Sequence, residues 1–158
     1  MRNELGAESR SGLNLDHFAR AYRCGETGVE RMTVDLIRKP DLWADMGWPE
    51  ISKIERQVRI GRSVADIVVH HADRSITIIE VKVAGLSLRD YCTGIGQLAY
   101  QSVMAMSDFQ TFSVRRVLAM PGQFPVDVAI VCMAQNVGML PMPSIDQWMG
   151  FIEEALAA

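Results

Sequence analysis

Cysteine is scarce in this sequence and cannot be paired off: Cys24, Cys92 and Cys132 are three in number and have no CxxC spacing. That pattern excludes a disulfide framework and a zinc knuckle, and reads as buried or half-buried thiols. Long hydrophobic runs are missing too. The longest strongly apolar stretch, Val126 to Ala134 (VDVAIVCMA), contains an aspartate and falls far short of the roughly 20 residues that a membrane span requires. Neither GxGxxG nor GxxxxGK[ST] occurs, so no glycine-rich loop cradles a nucleotide. There is no basic excess either: the formal charge is -3 and the pI about 5.6. This works against phosphate binding, which a basic surface normally supports. It is reconciled with such binding if metal-holding carboxylates lower the total while Lys53, Arg56, Arg59, Arg62 and Arg89 form a positive rim.

What the chain does have is 158 residues with 49% hydrophobic content, enough to bury a core without staples. One domain over residues 13–158 is expected, preceded by a loose polar arm at 1–12. The opening MRNELGAESRSG has no apolar segment, so neither a leader nor a lipid anchor is expected, and a cytoplasmic location follows.

Helical signals run over Leu13 to Arg23, with Asn14 or Asp16 as cap, and over GVERMTVDLIRK after Thr27, where Pro40 stops the run. Ile54 to Ile60 alternates as a strand. Val64 to His71 and Ile76 to Val83 are β-branched runs separated by Ala72-Asp73-Arg74-Ser75, the pattern of a β-hairpin. Ser87 to Ser107 is helical, with Gly94 and Gly96 weakening its first half. Val114 to Met120 and Val126 to Ala134 read as strands, and Ser144 caps a last helix ending near Ala157. The order is α-α-β-β-β-α-β-β-α, an α/β (α+β) sandwich with a mixed central sheet flanked by helices.

The chemistry concentrates in the hairpin. Asp66 lies near the start of one strand and Glu80 and Lys82 near the end of the next, so the antiparallel return gathers all three at one end of the sheet. Glu80 and Lys82, two apart, share a face. Asp66 joins them only if paired positions sum to an even number, as when Val68 faces Ile78. A two-residue turn at Asp73-Arg74 breaks that condition, so a three- or five-residue loop or a bulge is predicted. Two carboxylates with intervening backbone carbonyls offer hard oxygen ligands to Mg²⁺ or Mn²⁺, and a lysine beside them can orient the attacking water and offset developing charge. Taken singly, Glu80 and Lys82 also fit a solvated strand face. His70-His71 reads as a hairpin tip, because neighbours on a strand face opposite ways.

Asp66 followed fourteen residues later by Glu80-Val81-Lys82 resembles the D…(D/E)xK signature of the PD-(D/E)xK nuclease superfamily. Ala65 stands where the name has proline. Gly28-Val29-Glu30 is similar to the helical acidic residue that many members add to the metal site, and Gly96-Gln97-Leu98-Ala99-Tyr100 to the GQLxxY helix motif of RecB-type relatives. The order αβββαβ from Thr27 to Val131 is similar to the superfamily's core. The resemblance implies a restriction-endonuclease-like fold and a metal-dependent deoxyribonuclease with DNA as partner, RNA remaining open. It implies metal ligands Glu30, Asp66 and Glu80, a catalytic Lys82, and support and substrate contact from Gln97 and Tyr100. Arg62 and Arg89 add phosphate contacts from the basic rim. A homodimer is expected, through the methionine-rich helix or the segment Met139 to Met149. The alternative is a non-cutting binding or inhibitory module on the same fold, which has no chemical reason to retain Asp66, Glu80 and Lys82 together.

Overall fold

The computed structural model describes residues 25–158, so the polar arm, the helix expected at Leu13 to Arg23 and Cys24 lie outside the described residues. A helix α1 (Glu26–Ile37) comes first and a short α2 (Pro40–Asp45) follows. Gly25, with φ +60°, precedes α1 as its N-cap, so Thr27 lies inside the helix where a cap was expected. Three antiparallel strands come next, β1 (Ile51–Ile60), β2 (Ser63–His71) and β3 (Ile76–Val81). The long helix α3 (Leu88–Asp108) then crosses over to β4 (Val114–Pro121), which runs parallel to β3. Ser87 caps α3 in a reciprocal box with Asp90, and the helix passes through Gly94 and Gly96 unbroken.

The sequence reading errs after β4. Val126–Ala134, expected as a strand, is a helix, α4, and the strand is Gly138–Met142, β5. A short apolar run rich in valine and isoleucine fits a buried strand as well as a helix. Topology decides: β5 lies parallel to β4, and a parallel neighbour needs a crossover that a tight turn cannot supply. GMLPM looks unlike a strand because of Gly138 and Pro141, yet β5 is an edge, where a missing N–H costs little. The final helix α5 (Ile145–Ala157) begins at Ser144, which forms a capping box with Gln147 as expected for that position.

The sheet is mixed, in the order β1-β2-β3-β4-β5, and each face is covered. On one side Ile67, Val69, Ile79, Val81, Val117 and Ala119 pack with Val29, Met32 and Ile37 of α1 and Trp148 of α5. On the other, Val68, Ile76, Ile78, Leu118 and Met120 pack with Tyr91, Ile95, Leu98 and Ala105 of α3 and with Val128 and Cys132 of α4. Alternation along β2 to β4 thus feeds two cores, and β3 is buried at every position. Leu140, Met142, Trp148 and Met149, in the segment Met139 to Met149 where a dimer contact was expected, belong to the first core. Among the described residues no helix is long and apolar enough to cross a membrane.

Candidate active site at the parting of β2 and β3

The β2–β3 hairpin sets the site. Val68 pairs with Ile78 and His70 with Ile76, the even-sum register that parity requires. The loop achieves it with Arg74 at φ +68°: His71 donates its N–H to the Ser75 carbonyl, Arg74 donates to the His71 carbonyl, and Asp73 accepts from the backbone and hydroxyl of Ser75. This is a three-residue loop, one of the alternatives expected in place of a simple two-residue turn. His70 and His71 face opposite ways, as expected. His70 meets Glu55 and the edge of Phe109, while His71 lies between the Pro49 carbonyl and the Thr77 hydroxyl.

Pairing of β2 with β3 ends at Ile67↔Ile79, and the strands part there. Lys82 continues the parallel ladder by donating to the Ala119 carbonyl, which leaves the Val81 N–H directed toward the departing β2. Asp66 Oδ2 accepts that N–H at 2.8 Å. One residue back, the Glu80 carboxylate receives Lys82 Nζ at 2.9 Å. Both side chains lie against α3 at Gly94: a Cβ there would stand 2.8 Å from Lys82 Cε and 3.1 Å from Glu80 Cγ. Gly94 therefore serves close packing, and the packing is against the Glu80 and Lys82 side chains themselves.

Charge in this corner is unbalanced. Burial pushes the Glu80 carboxyl up to about 7, with the Asp66 charge adding to the rise and the Lys82 hydrogen bond and charge opposing it. Asp66 is raised as well, by burial first and by Glu30 next, against the stabilising Val81 N–H. Burial would lower Lys82, but the Glu80 hydrogen bond and the surrounding carboxylates outweigh it and hold the ammonium proton more firmly.

The other anticipated residues take varied positions. Glu30 is buried on α1, with Oε1 accepting from Arg56 Nε and Oε2 from Gln57 Nε2 at 2.8 Å. Both its oxygens are thus engaged by β1. Among the described residues no group of three or more His, Cys, Asp or Glu side chains is placed to hold a metal ion, so Glu30, Asp66 and Glu80 do not converge as one cluster. Gln97 is exposed on α3, three residues after Gly94. Tyr100 is also exposed, and its hydroxyl accepts the Arg62 N–H at 3.0 Å, which ties α3 to the β1–β2 turn. The Arg62, Arg59 and Arg89 side chains are exposed; Lys53 pairs with Glu55 and Arg56 with Glu30, so the basic rim is thinner than the sequence implied.

Sequence reasoning missed Gln57 and Glu26, and placed Arg56 in the basic rim rather than beside Glu30. Gln57 sits opposite Asp66, between the pairs Arg56↔Ile67 and Val58↔Ala65, and its amide also reaches Asp66 Oδ1 at 3.4 Å. Arg56 occupies a place in the I-x-R-x-V-x-I pattern where an apolar residue would continue the alternation, and that was the available signal. Glu26, exposed one turn before Glu30, adds negative charge felt at Asp66, Glu80 and Lys82; its i,i+4 spacing from Glu30 was the clue.

No protein-family model and no curated protein matches the chain. Solved structures do resemble it. A repair endonuclease from Pyrococcus abyssi aligns over 72% of this chain and 46% of its own, with TM-score 0.54 and 15% identity. Can2 from Sulfobacillus thermosulfidooxidans, in complex with cyclic tetra-adenylate, aligns over 84% of this chain and 36% of its own, with TM-score 0.51 and 10% identity. The chain spans less than half the length of either. Sheet order, flanking helices and these likenesses together establish that the chain has a restriction-endonuclease-like fold.

Proposed function

We propose that the protein is a metal-dependent nuclease hydrolysing phosphodiester bonds of DNA, selecting substrate structure rather than a long sequence. The observation that carries this reading is the gathering of Asp66, Glu80 and Lys82 where β2 and β3 part, with Gly94 leaving room for both long side chains. The fold, similar to that of a repair endonuclease, supports it.

A divalent cation fits the donor set. Burial raises both Asp66 and Glu80, the Asp66 charge raises Glu80 further, and Lys82 is a single ammonium against two carboxylates. Hard oxygen donors of this kind suit Mg²⁺ or Mn²⁺, and Asp66 and Glu80 would hold it. Bound there, the ion would supply charge neutralisation at a phosphate and make water more acidic. Lys82, whose proton is held firmly, acts as a charged donor that orients water and offsets charge on the phosphate rather than as a base. The exposed Arg62, Arg89, Gln97 and Tyr100 contact the substrate backbone in this reading. It places the protein in the cytoplasm as a homodimer, for which the exposed Val103 and Met106 of α3 offer apolar surface.

One observation favours a non-cutting module instead: Glu30 has both oxygens engaged within the chain, and no three-carboxylate group is assembled among the described residues. Calorimetric titration with Mn²⁺, repeated on Asp66→Asn, separates the two. The nuclease reading requires binding that the variant loses; a folded wild type that takes up no Mn²⁺ favours the module.

A further inference from the structure

Gln57 has a left-handed backbone, φ +51°, in the middle of a strand. A residue with a side chain adopts that conformation at a cost and keeps it only where its surroundings hold it there. What holds Gln57 is visible. Its amide donates to Glu30 Oε2 at 2.8 Å and reaches Asp66 Oδ1 at 3.4 Å, so one NH₂ group bridges two carboxylates from different elements. Arg56, the preceding residue, takes the other Glu30 oxygen. Asp66 is in turn held on its far side by the Val81 N–H.

The kink also changes which face the hairpin presents. On one side of Gln57, Arg56 and Ile67 pair toward the α1 face; on the other, Val58 and Ala65 pair within the α3 core. Asp66 is the β2 residue at that switch, so the orientation of its carboxylate depends on what fixes the kink.

We propose that Glu30, Arg56 and Gln57 form a clamp that positions Asp66, Glu30 acting through the Gln57 amide rather than as a metal ligand. This rests on the nuclease reading for its purpose but not for its geometry. The Arg56 guanidinium balances the buried Glu30 charge, Glu30 anchors Gln57, and Gln57 sets one Asp66 oxygen while Val81 sets the other. Gln57 and Glu30 are positioning residues in this scheme, and Asp66 is the group they position.

Gln57→Gly separates positioning from folding, because glycine accepts φ +51° without strain while the amide is lost. Three readouts are compared in wild type, Gln57→Gly, Glu30→Gln and Asp66→Asn: thermal midpoint, amide exchange of Val81 in metal-free protein, and Mn²⁺ affinity by calorimetry. Gln57→Gly is expected to stay folded with a cooperative melt, to lose protection at the Val81 amide, and to bind Mn²⁺ about tenfold more weakly. Glu30→Gln is expected to keep the wild-type stoichiometry with a similar weakening, whereas Asp66→Asn abolishes binding. Unchanged Val81 exchange in Gln57→Gly overturns the clamp, as does abolition of Mn²⁺ binding by Glu30→Gln. If wild type itself binds no Mn²⁺, the nuclease reading fails, and Val81 exchange still decides the clamp.

Discussion

Replacing Gly94 by alanine adds one methyl at the point where α3 crosses the Glu80–Lys82 pair. That methyl would stand 2.8 Å from Lys82 Cε and 3.1 Å from Glu80 Cγ, closer than carbon atoms pack. Two energies oppose each other. Alanine gains about 1 kcal/mol over glycine inside a helix. Inserting a methyl into a filled space costs about 1–3 kcal/mol. The net loss is therefore about 0–2 kcal/mol, and each kcal/mol moves the midpoint by about 2–4 °C in a chain of this size. Lys82 yields first because its atom lies toward the end of a flexible stem, and its 2.9 Å pairing with Glu80 is lost. Misplacing such a group by about 1 Å costs about a hundredfold in rate. Gly96→Ala is the control: two residues along the same helix, its added Cβ meets nothing within 4 Å. Melting curves and metal-dependent plasmid cleavage should show Gly94→Ala folded but slow, and Gly96→Ala slightly more stable and fully active. A Gly94→Ala protein that cuts at the wild-type rate would refute the placement of Lys82 against α3.

Further expectations follow from the same geometry. The metal-free Glu80 carboxyl is pushed up to about 7 from 4.5, so the folded state holds the extra proton and the stability it brings is lost as pH rises through that range. A cation must displace the proton, so the Mg²⁺-induced rise in thermal midpoint should grow between about pH 6 and pH 8, with proton release seen by calorimetry in different buffers. Arg56→Ala strands the buried Glu30 charge; because Arg56 is itself partly exposed, denaturant titration should show a loss of about 1–3 kcal/mol, partly restored by adding Glu30→Gln. His71 is held below its usual 6.5, by burial first, although the Pro49 carbonyl works the other way. Its contribution is therefore present above about pH 6.5 and lost as pH falls through the depressed folded value, so His71→Gln should flatten the acid limb of the stability profile, measured by urea midpoints across that range.

Much of the fold was legible because local and tertiary preferences agree. The β2–β3 hairpin, its register and its loop followed from parity and β-branched runs, and the Ser87 and Ser144 signals marked helix starts. The failure came where they disagree. Val126–Ala134 carries strand-like residues in a helix that buries only Val128 and Cys132 and leaves Val126, Ile130 and Met133 exposed, a split that only the β4–β5 crossover explains. In the site, Asp66, Glu80 and Lys82 were readable because they lie within one hairpin. The clamp was not, because the left-handed turn at Gln57 reverses the alternation on which a strand reading depends, and nothing local marks a glutamine as strained. Glu30 was singled out for its helix, but its partners lie on β1, 26 and 27 residues away in sequence.

The central claim is that Asp66, Glu80 and Lys82 form a metal-dependent hydrolytic site. The most direct measurement offers wild type and Lys82→Ala a supercoiled plasmid, a linear duplex, single strands and a four-way junction, each with Mg²⁺, Mn²⁺ or EDTA. Cutting of at least one substrate with metal, none with EDTA and none by a folded Lys82→Ala is the predicted result. A wild type that is folded and metal-loaded yet leaves every substrate intact, or a Lys82→Ala protein that cuts as fast as wild type, would contradict it.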